Sequence, residues 1–303
     1  MNKIYEKNKK SEKLVTIALH FGKLDYLPLV ENFLKSLLVC VTYPNIELML
    51  VETGGNKSVR DWFESLDFST KFVNFNGDKT NISCNAGCKI KKSLVFKDPV
   101  PGDEWYMSFS KGISEAISRA RGEYFVILAE DNQFNVRGPI IQKYIDILEL
   151  QENEKSFVHF MAQQQYKYFK KNNHYSGPFE KNDFKYFQVS KTQLCTKWCP
   201  FSLTKVKNYD LLGGFPIPQH NEPSNIPQIT LAEKSFSLGV ARFYPLISHG
   251  VWFHNNDRGK LIEKIIENSK LNPDYVLYPI HDYNEINKLE INQPLSTDSF
   301  LYE

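Results

Sequence analysis

Apolar residues in the first part of the chain alternate between short continuous runs and helical spacing. Continuous apolar runs predict four buried strands, at 14–19, 46–51, 71–75 and 123–128. Apolar residues that recur every three or four positions predict helices between the strands, at 27–39, 58–66 and 113–120. Strands and helices that alternate in this way form a mostly parallel sheet with helices on both faces. The pattern therefore predicts an α/β fold.

Local signals predict where these elements begin and end. Pro28 suits the first turn of a helix, and the segment from Ser58 to Asp61 has the arrangement of a capping box. Gly122 lies where a left-handed C-cap belongs, after the third helix. Residues 76–107 show little periodicity and carry Gly, Asn, Pro and Lys. We expect a long loop or an insertion there.

The second half of the chain is less regular and predicts a smaller mixed region beside the sheet. A helix at 137–150 and a strand at 157–161 come first, followed by a polar segment at 163–189 that is dense in Tyr and Phe. Gly213-Gly214-Phe215 predicts a turn, and a Pro-rich loop runs from it to Pro227. The last predicted elements are a helix at 231–238, a strand at 240–244 and a helix at 261–269.

Composition and charge narrow the class of protein. The chain has 303 residues, 42% of them apolar and 24% charged, which is enough apolar material for a core. Lys and Arg number 37 against 35 Asp and Glu, and this net charge of +2 argues against a broad nucleic-acid surface. No apolar run approaches the ~18 residues of a membrane span, and no stretch resembles a signal peptide. We expect a cytoplasmic protein with no nucleic-acid partner and no integral membrane segment.

Five cysteines are an odd number for a disulfide framework. Four of them form two spaced pairs, Cys84 with Cys88 and Cys195 with Cys199. Paired thiolates can hold structural zinc, although such sites usually have tighter spacing on at least one side. A four-thiolate zinc site and plain thiols both stay open.

Acidic residues fall at the carboxyl ends of two predicted strands. Glu52 follows the second strand, and Glu130 and Asp131 follow the fourth. Ligands of parallel α/β sheets bind at the carboxyl ends of the strands, so these carboxylates are candidates for a binding site. Solvated loop charges are the alternative for each carboxylate taken alone.

Five segments occur in an order that resembles the family-two glycosyltransferases with the GT-A fold. They are 14–17 (LVTI), 51–55 (VETGG), 110–113 (SKGI), 120–124 (ARGEY) and 128–131 (LAED). The Gly-Gly-Phe turn with its following helix and strand resembles the acceptor half of that family. The resemblance implies a domain at 1–255 and a C-terminal helix and tail at 256–303. Within the domain, 14–131 would be the nucleotide-binding half and 132–255 the acceptor half.

The resemblance implies transfer of a sugar from a nucleotide-sugar donor, a UDP-sugar, with inversion. The acceptor would be a hydroxyl of a glycan, a lipid-linked or a protein acceptor. Negative charge develops on the diphosphate leaving group, and Mn²⁺ or Mg²⁺ held by carboxylates neutralises it in such chemistry.

Asp131 matches the last Asp of the family's DxD signature, so the resemblance assigns it to the metal and the diphosphate. Ala129 replaces the first Asp, and metal binding would depend on Asp131 with Glu130 or Asn132. A weak or absent metal is the alternative. The resemblance places Glu52 on the base or ribose and Lys111 near the nucleotide. His20, at the end of the first strand, is expected to line the base pocket.

The sequence has no carboxylate where the resemblance places the catalytic base, because Pro227-Gln228 replaces the family's acidic pair. An inverting transfer needs a base within hydrogen-bond reach of the acceptor hydroxyl. The nearest carboxylates are Glu222 in the Pro-rich loop and Glu233 on the following helix. Glu222, Glu233, a different base and no base all stay open.

Three further rings belong to the candidate site. His249 and His254 follow the last core strand, where some GT-A enzymes place a metal-binding histidine, and neutral imidazole is a competent ligand. Trp198 is a candidate for stacking on an acceptor sugar, and the aromatic segment at 163–189 would shape the acceptor site. Packing in the core is the alternative for all of these rings.

Two other functions fit parts of the sequence. Ala129 and Pro227-Gln228 favour a degenerate GT-A protein that binds a nucleotide or a glycan without turnover. A nucleotidyltransferase on a related sheet fits less well. Such enzymes open with a Gly-rich phosphate loop after the first strand, and the segment from His20 to Lys23 is not one.

Overall fold

The computed structural model describes residues 13–84, 89–150, 155–160, 170–189, 201–246, 250–252 and 257–288. The strands are β1 (Val15–Phe21), β2 (Asn45–Glu52), β3 (Lys89–Phe96), β4 (Tyr124–Ala129), β5 (Asn132–Phe134), β6 (Val136–Arg137), β7 (Ser156–His159), β8 (Tyr175–Lys181), β9 (Phe184–Val189), β10 (Ser202–Lys205), β11 (Ala241–Pro245), β12 (Gly250–Trp252) and β13 (His281–Asp282). The helices are α1 (Leu27–Cys40), α2 (Lys57–Ser65), α3 (Trp105–Arg119), α4 (Ile140–Leu148), α5 (Lys207–Leu211), α6 (Ile226–Ser237), α7 (Arg258–Leu271) and α8 (Tyr283–Ile286). Within these ranges every helix is too short or too polar to cross a bilayer.

Within the described ranges, nine strands form one sheet in the order β3-β2-β1-β4-β10-β7-β11-β9-β8. The first four are mutually parallel, as the alternation of strands and helices predicts. The other five are mixed, with β10 antiparallel to both β4 and β7. The fold class is therefore confirmed: a large α/β sheet flanked by helices, with a parallel half and a mixed half.

The parallel half is covered on both faces because successive residues of a strand point to opposite sides. Ile17 and Leu19 of β1 lie in one apolar cluster with Phe33 of α1, whereas Ala18 between them lies in another with Ile113 of α3. Every residue of β1 is buried. This burial explains why β1 reads as a continuous apolar run rather than an alternating one.

The third strand is not where the sequence pattern predicts it. Residues 71–75 contain one isolated bridge, between Val73 and Lys79, and the strand next to β2 is β3, inside the predicted long loop. Lysines at 89, 91 and 92 hide the strand pattern of β3. Because β3 is at the edge of the sheet, lysines are compatible with it and discourage pairing with another chain.

Two predicted caps are wrong. Ser58 lies inside α2, whose N-cap is Asn56 with no side-chain cap, and the Glu52 carboxylate accepts the Asn56 N–H instead. Gly122 does not have a left-handed backbone, and the C-cap of α3 is Ala120. A Cβ on Gly122 would lie 2.7 Å from the Thr16 nitrogen. Glycine is needed there because β1 passes so close.

The second half of the chain brings its C-terminal part back to the parallel strands. The helix predicted from 137 begins only at Ile140, because short strands precede it. One of these, β5, pairs with β12, and the other, β6, pairs with β13. Helix α7 packs through the buried Ile265 in a cluster with Leu29 of α1. The tail thus lies against the nucleotide-side half that the sequence predicts.

The aromatic segment is partly core. Of the stretch predicted at 163–189, residues 163–169 lie outside the described ranges, and residues 175–189 form the β8–β9 hairpin. Phe184, Tyr186 and Phe187 are buried, whereas Phe179 is exposed on β8. The structure therefore assigns these three rings to packing, the alternative that the sequence left open.

Candidate functional site

The carboxyl ends of β1, β2 and β4 meet at one edge of the sheet. In the parallel register His20 is level with Val51 on one side and Ala129 on the other. His20, Glu52, Glu130 and Asp131 are therefore close to the same edge, and all four are buried. Buried charged groups require partners, and those partners determine which ligands this edge of the sheet can bind.

His20 joins the ends of the three strands. Its Nε2 lies 3.0 Å from Thr53 Oγ1 after β2, and its Nδ1 lies 3.8 Å from Glu130 Oε2 after β4. Its ring packs edge-on against Phe109 of α3, with 4.7 Å between the ring centroids. Burial alone would raise the pKa of Glu130, but contact with His20 and the charge of Arg258 hold that pKa below its usual value. Glu130 is therefore an anion at neutral pH.

Arg258 is the partner that the sequence did not suggest. It is the first residue of α7, and its Nη1 lies 3.3 Å from Glu130 Oε1 while its Nη2 donates to Asp131 Oδ2. The guanidinium lies 5.0 Å from the centroid of the Tyr26 ring. Burial lowers the pKa of Arg258, but the charges of Asp131 and Glu130 outweigh it and raise that pKa. No sequence signal links Arg258 to β4, because the whole predicted acceptor half lies between them in the sequence.

Glu52 holds the loop that follows β2. Its Oε1 accepts hydrogen bonds from the Gly54 N–H and from Asn56 Nδ2, both at 2.8 Å, and its Oε2 accepts the Asn56 N–H at 3.1 Å. A Cβ on Gly54 would lie 2.4 Å from the Gly22 carbonyl oxygen, so the loops after β1 and β2 touch there. Contact between Glu52 and a base or ribose stays a prediction. In that prediction, the ligand would lie against the loop that Glu52 holds.

Helix α3 packs closely against this edge. A Cβ on Gly112 would lie 2.7 Å from Thr53 Cγ2 and 2.9 Å from Val51 Cγ1, so only glycine fits at that turn of α3. The neighbouring Lys111 is half-buried and forms an ion pair with Asp103 at 2.6 Å. The close approach gives a physical reason for the glycine of the SKGI motif. Contact between Lys111 and a nucleotide stays a prediction.

The acceptor-side candidates lie at the N-terminal end of α3. The Tyr106 hydroxyl donates to the Glu222 carbonyl oxygen at 2.6 Å, and Glu222 Oε2 accepts the Gln219 N–H at 2.6 Å. Beside them Trp105 has 67% of its surface exposed. Glu233 lies on the exposed side of α6, away from the helix face that packs on the core. Of the two candidate bases, Glu222 is the one attached to α3.

The Gly-Gly-Phe turn packs against the middle of α3. Gly213 and Gly214 have φ values of 76° and 83°, a backbone that favours glycine. The turn places Phe215 edge-on against Phe109, with 5.8 Å between the ring centroids, and its carbonyl accepts from Ser114. Phe109 also contacts His20, so one ring joins the strand-end cluster to the turn before the Glu222 loop.

Several predicted residues lie outside the described ranges. These are Trp198, His249 and His254, and the cysteines Cys88, Cys195 and Cys199. The stacking, metal-binding and zinc-binding predictions for them are not tested. Cys84, the described member of the proposed zinc set, is half-buried against the apolar core.

The described residues do not fit a divalent metal ion. Among them no group of three or more His, Cys, Asp and Glu side chains could hold one. The two carboxylates expected to act as ligands, Glu130 and Asp131, are both paired with the Arg258 guanidinium. A cation at these oxygens would have to displace another cation, so we derive no step through a metal.

Comparisons with known proteins give structural similarity only. No family model matches the sequence, and no curated protein matches it either. The chain is similar to S. aureus TarS 1–349 in complex with UDP, with a TM-score of 0.46, 11% identity, and coverage of 86% of this chain and 66% of that one. It is also similar to the mannosyltransferase PcManGT from Pyrobaculum calidifontis in complex with GDP-Man and Mn²⁺, with a TM-score of 0.48, 14% identity, and coverage of 88% and 68%.

This chain covers only part of the length of those proteins. The chain spans slightly less than two thirds of TarS 1–349 and 40% of the longer TarS structure. UDP, GDP-Man and Mn²⁺ belong to those complexes, and the function of this chain has to be argued from its own residues.

Proposed function

We propose that this chain is a GT-A glycosyltransferase that transfers a sugar from a nucleotide-sugar donor, a UDP-sugar, to a hydroxyl acceptor with inversion. The observation that carries the proposal is the buried cluster of His20, Glu130, Asp131 and Arg258 at the carboxyl edge of the parallel strands. Ligands of such sheets bind at this edge, and the edge combines fixed charges with a shaped loop.

The nucleoside would lie against the loops after β1 and β2. Glu52 fixes residues 54–56 by three hydrogen bonds, and Gly22 and Gly54 keep the two loops in contact without side chains between them. Such a preorganised backbone offers N–H and C=O groups to a base and a ribose. The diphosphate would then extend toward the end of β4, where Arg258 lies.

The acceptor would bind beside the Glu222 loop. Tyr106, which holds this loop, is six residues before Gly112 on α3, or about 9 Å along the helix axis. Phe109, about one turn after Tyr106 on the same helix, contacts His20, so the Glu222 loop and the strand-end cluster lie against neighbouring turns of α3. The exposed Trp105 ring is suited to stacking on a sugar of the acceptor.

The proposed chemistry is a single displacement. Glu222 takes the proton from the acceptor hydroxyl, and the hydroxyl oxygen forms the new bond to the anomeric carbon. The bond from that carbon to the phosphate oxygen breaks, and its electron pair stays on the nucleoside diphosphate. Attack from the face opposite the leaving group inverts the anomeric centre.

Donor turnover tests the proposal. The full chain is incubated with UDP- and GDP-linked sugars, in excess EDTA and with Mn²⁺, and release of the nucleoside diphosphate is measured. Glu222→Gln should lower kcat by about a hundredfold or more, whereas the matched variant Glu233→Gln should leave it unchanged. Equal losses in both variants would remove Glu222 as base. Saturable binding without turnover would indicate a non-catalytic nucleotide-binding protein, and no binding of any donor would overturn the proposal.

A further inference from the structure

Arg258 reaches the strand-end carboxylates from a rigid support. Helix α7 is held to α1 by a cluster that contains Leu29, Ile265, Leu277 and Tyr278. At its first residue the Arg258 side chain is one third exposed, so one side faces the buried carboxylates and another faces solvent. Arg258 is thus held by a packed helix and is partly exposed at the edge where ligands of parallel sheets bind, so its guanidinium can contact an incoming anion.

A second cation lies beside it. Lys23, exposed on the loop after β1, has its Nζ 5.8 Å from the centroid of the Tyr26 ring, and Arg258 lies 5.0 Å from the same centroid. The aromatic face stabilises both cations near the end of β1. Lys23 and Arg258 thus place two positive charges beside Glu130 and Asp131, and Arg258 already occupies an oxygen of each carboxylate.

We propose that Arg258, assisted by Lys23, supplies the positive charge for the donor's diphosphate in place of a divalent metal. Glu130 and Asp131 are then positioning residues that orient the guanidinium. The inference rests on the proposed function and departs from the metal-assisted reaction that the resemblance implies.

The chemistry of arginine suits this role. A guanidinium has five N–H donors and matches phosphate oxygens in a planar fork, so it can keep both carboxylate contacts and still donate to a diphosphate. When the bond between the anomeric carbon and the phosphate oxygen breaks, the electron pair remains on the diphosphate, and the fixed guanidinium stabilises that charge. The acceptor proton passes to Glu222.

Calorimetric titration of the full chain with UDP, UMP and uridine tests the inference. In excess EDTA, UDP should bind with a Kd within about twofold of its value in Mn²⁺. Arg258→Gln should weaken UDP binding about tenfold to a hundredfold and leave uridine binding unchanged, because the lost contact is to phosphate. Arg258→Lys should lie between the two, and Lys23→Gln should weaken UDP binding by about threefold. The matched control is Arg119→Gln, an exposed arginine paired with Glu115 at the far end of α3.

The outcomes are distinguishable. If UDP binds only with Mn²⁺ and Arg258→Gln binds it as well as or better than the parent, the inference is overturned while the proposed function stands. If Arg258→Gln weakens uridine and UDP equally, Arg258 has a structural role and the inference also fails. If Arg258→Gln does not fold, the Lys variant and Lys23→Gln give the answer. If the parent binds no nucleotide in either condition, the proposed function itself fails.

Discussion

Buried carboxylates lie at both ends of the parallel strands, and their partners differ. At the amino end, Glu47 of β2 accepts hydrogen bonds from the Thr16 hydroxyl at 2.6 Å, the Arg121 N–H at 3.0 Å and Arg121 Nε at 2.6 Å. At the carboxyl end, Asp131 is paired with Arg258, which comes from a distant helix. The amino-end partners all belong to neighbouring strands and their connections.

We interpret the amino-end network as structural and the carboxyl-end network as part of the proposed binding site. The amino-end network is local, since Thr16 also accepts the Gly122 N–H at 3.0 Å and so ties two strands to Glu47. Both networks include a cation that reaches solvent, but the carboxyl-end network adjoins the shaped loops after β1 and β2, and its cation comes from a distant helix. Changes at the amino end should therefore affect stability, and changes at the carboxyl end should affect nucleotide binding.

The largest expected effect is on stability. Glu47→Gln removes the anion that Thr16 and Arg121 surround, so we expect the free energy of unfolding to fall by about 3 kcal/mol. Denaturant melts check this value, and Glu123→Gln, an exposed carboxylate on the same side, is the matched control with little change. UDP affinity should stay within about twofold of the parent. A large loss of UDP affinity in folded Glu47→Gln protein would break the proposed separation.

The reverse pattern is expected for Asp131→Asn. The neutral amide keeps the shape but loses the charge-assisted bond to Arg258, so UDP should bind about tenfold more weakly. The free energy of unfolding should fall by only about 1 kcal/mol, because Arg258 keeps Glu130 and solvent as partners. Calorimetry and denaturant melts of the same preparation measure both values. A stability loss as large as that of Glu47→Gln, with unchanged UDP affinity, would contradict this result.

A smaller effect is expected on the acceptor side. Trp105→Ala should lower transfer to a panel of methyl hexosides by about fivefold, since one stacking contact is lost. Donor hydrolysis by water should be unchanged, because Trp105 is exposed and the contacts of α3 with the strand ends are made by Phe109 and Gly112. Leu271→Ala, which also removes an exposed apolar side chain, is the control. Equal loss of hydrolysis and transfer would show that Trp105 does not act on the acceptor.

The smallest effect is a pH dependence of stability at the amino end. Burial alone would raise the pKa of Glu149, but hydrogen bonds from Tyr124, Lys13 and Lys205 lower it to about 2 from 4.5. A lowered pKa means that the stabilisation is complete above the unfolded value and is lost as the pH falls from 4.5 toward 2. Thermal melts across that range should show a shallower loss in Glu149→Gln than in the parent. Parallel curves would show that Tyr124, Lys13 and Lys205 do not lower the pKa of Glu149 in the folded protein.

The parallel half of the fold could be predicted because its strands and helices carry strong patterns. Runs such as 14–19 are buried on both faces, and α1 shows clear helical spacing. β3 could not be predicted in place, because an edge strand tolerates lysines that break the apolar pattern. The position of Gly122 after a helix predicts a cap, whereas its small size serves the close approach of β1.

The residues of the candidate site at the strand ends could be predicted from the sequence, but their partner Arg258 could not. His20, Glu52, Glu130 and Asp131 follow from the rule that ligands bind at the carboxyl ends of parallel strands. The pairing of Arg258 with Asp131 joins residues 127 positions apart, and such a contact depends on how α7 packs on α1. No local sequence pattern records that packing.

A crystal structure of the chain soaked with UDP in EDTA tests the central claim most directly. The account expects the uridine against the loops after β1 and β2, and the diphosphate oxygens within hydrogen-bond distance of Arg258. UDP bound at a different surface, with the strand-end edge unchanged, would contradict it.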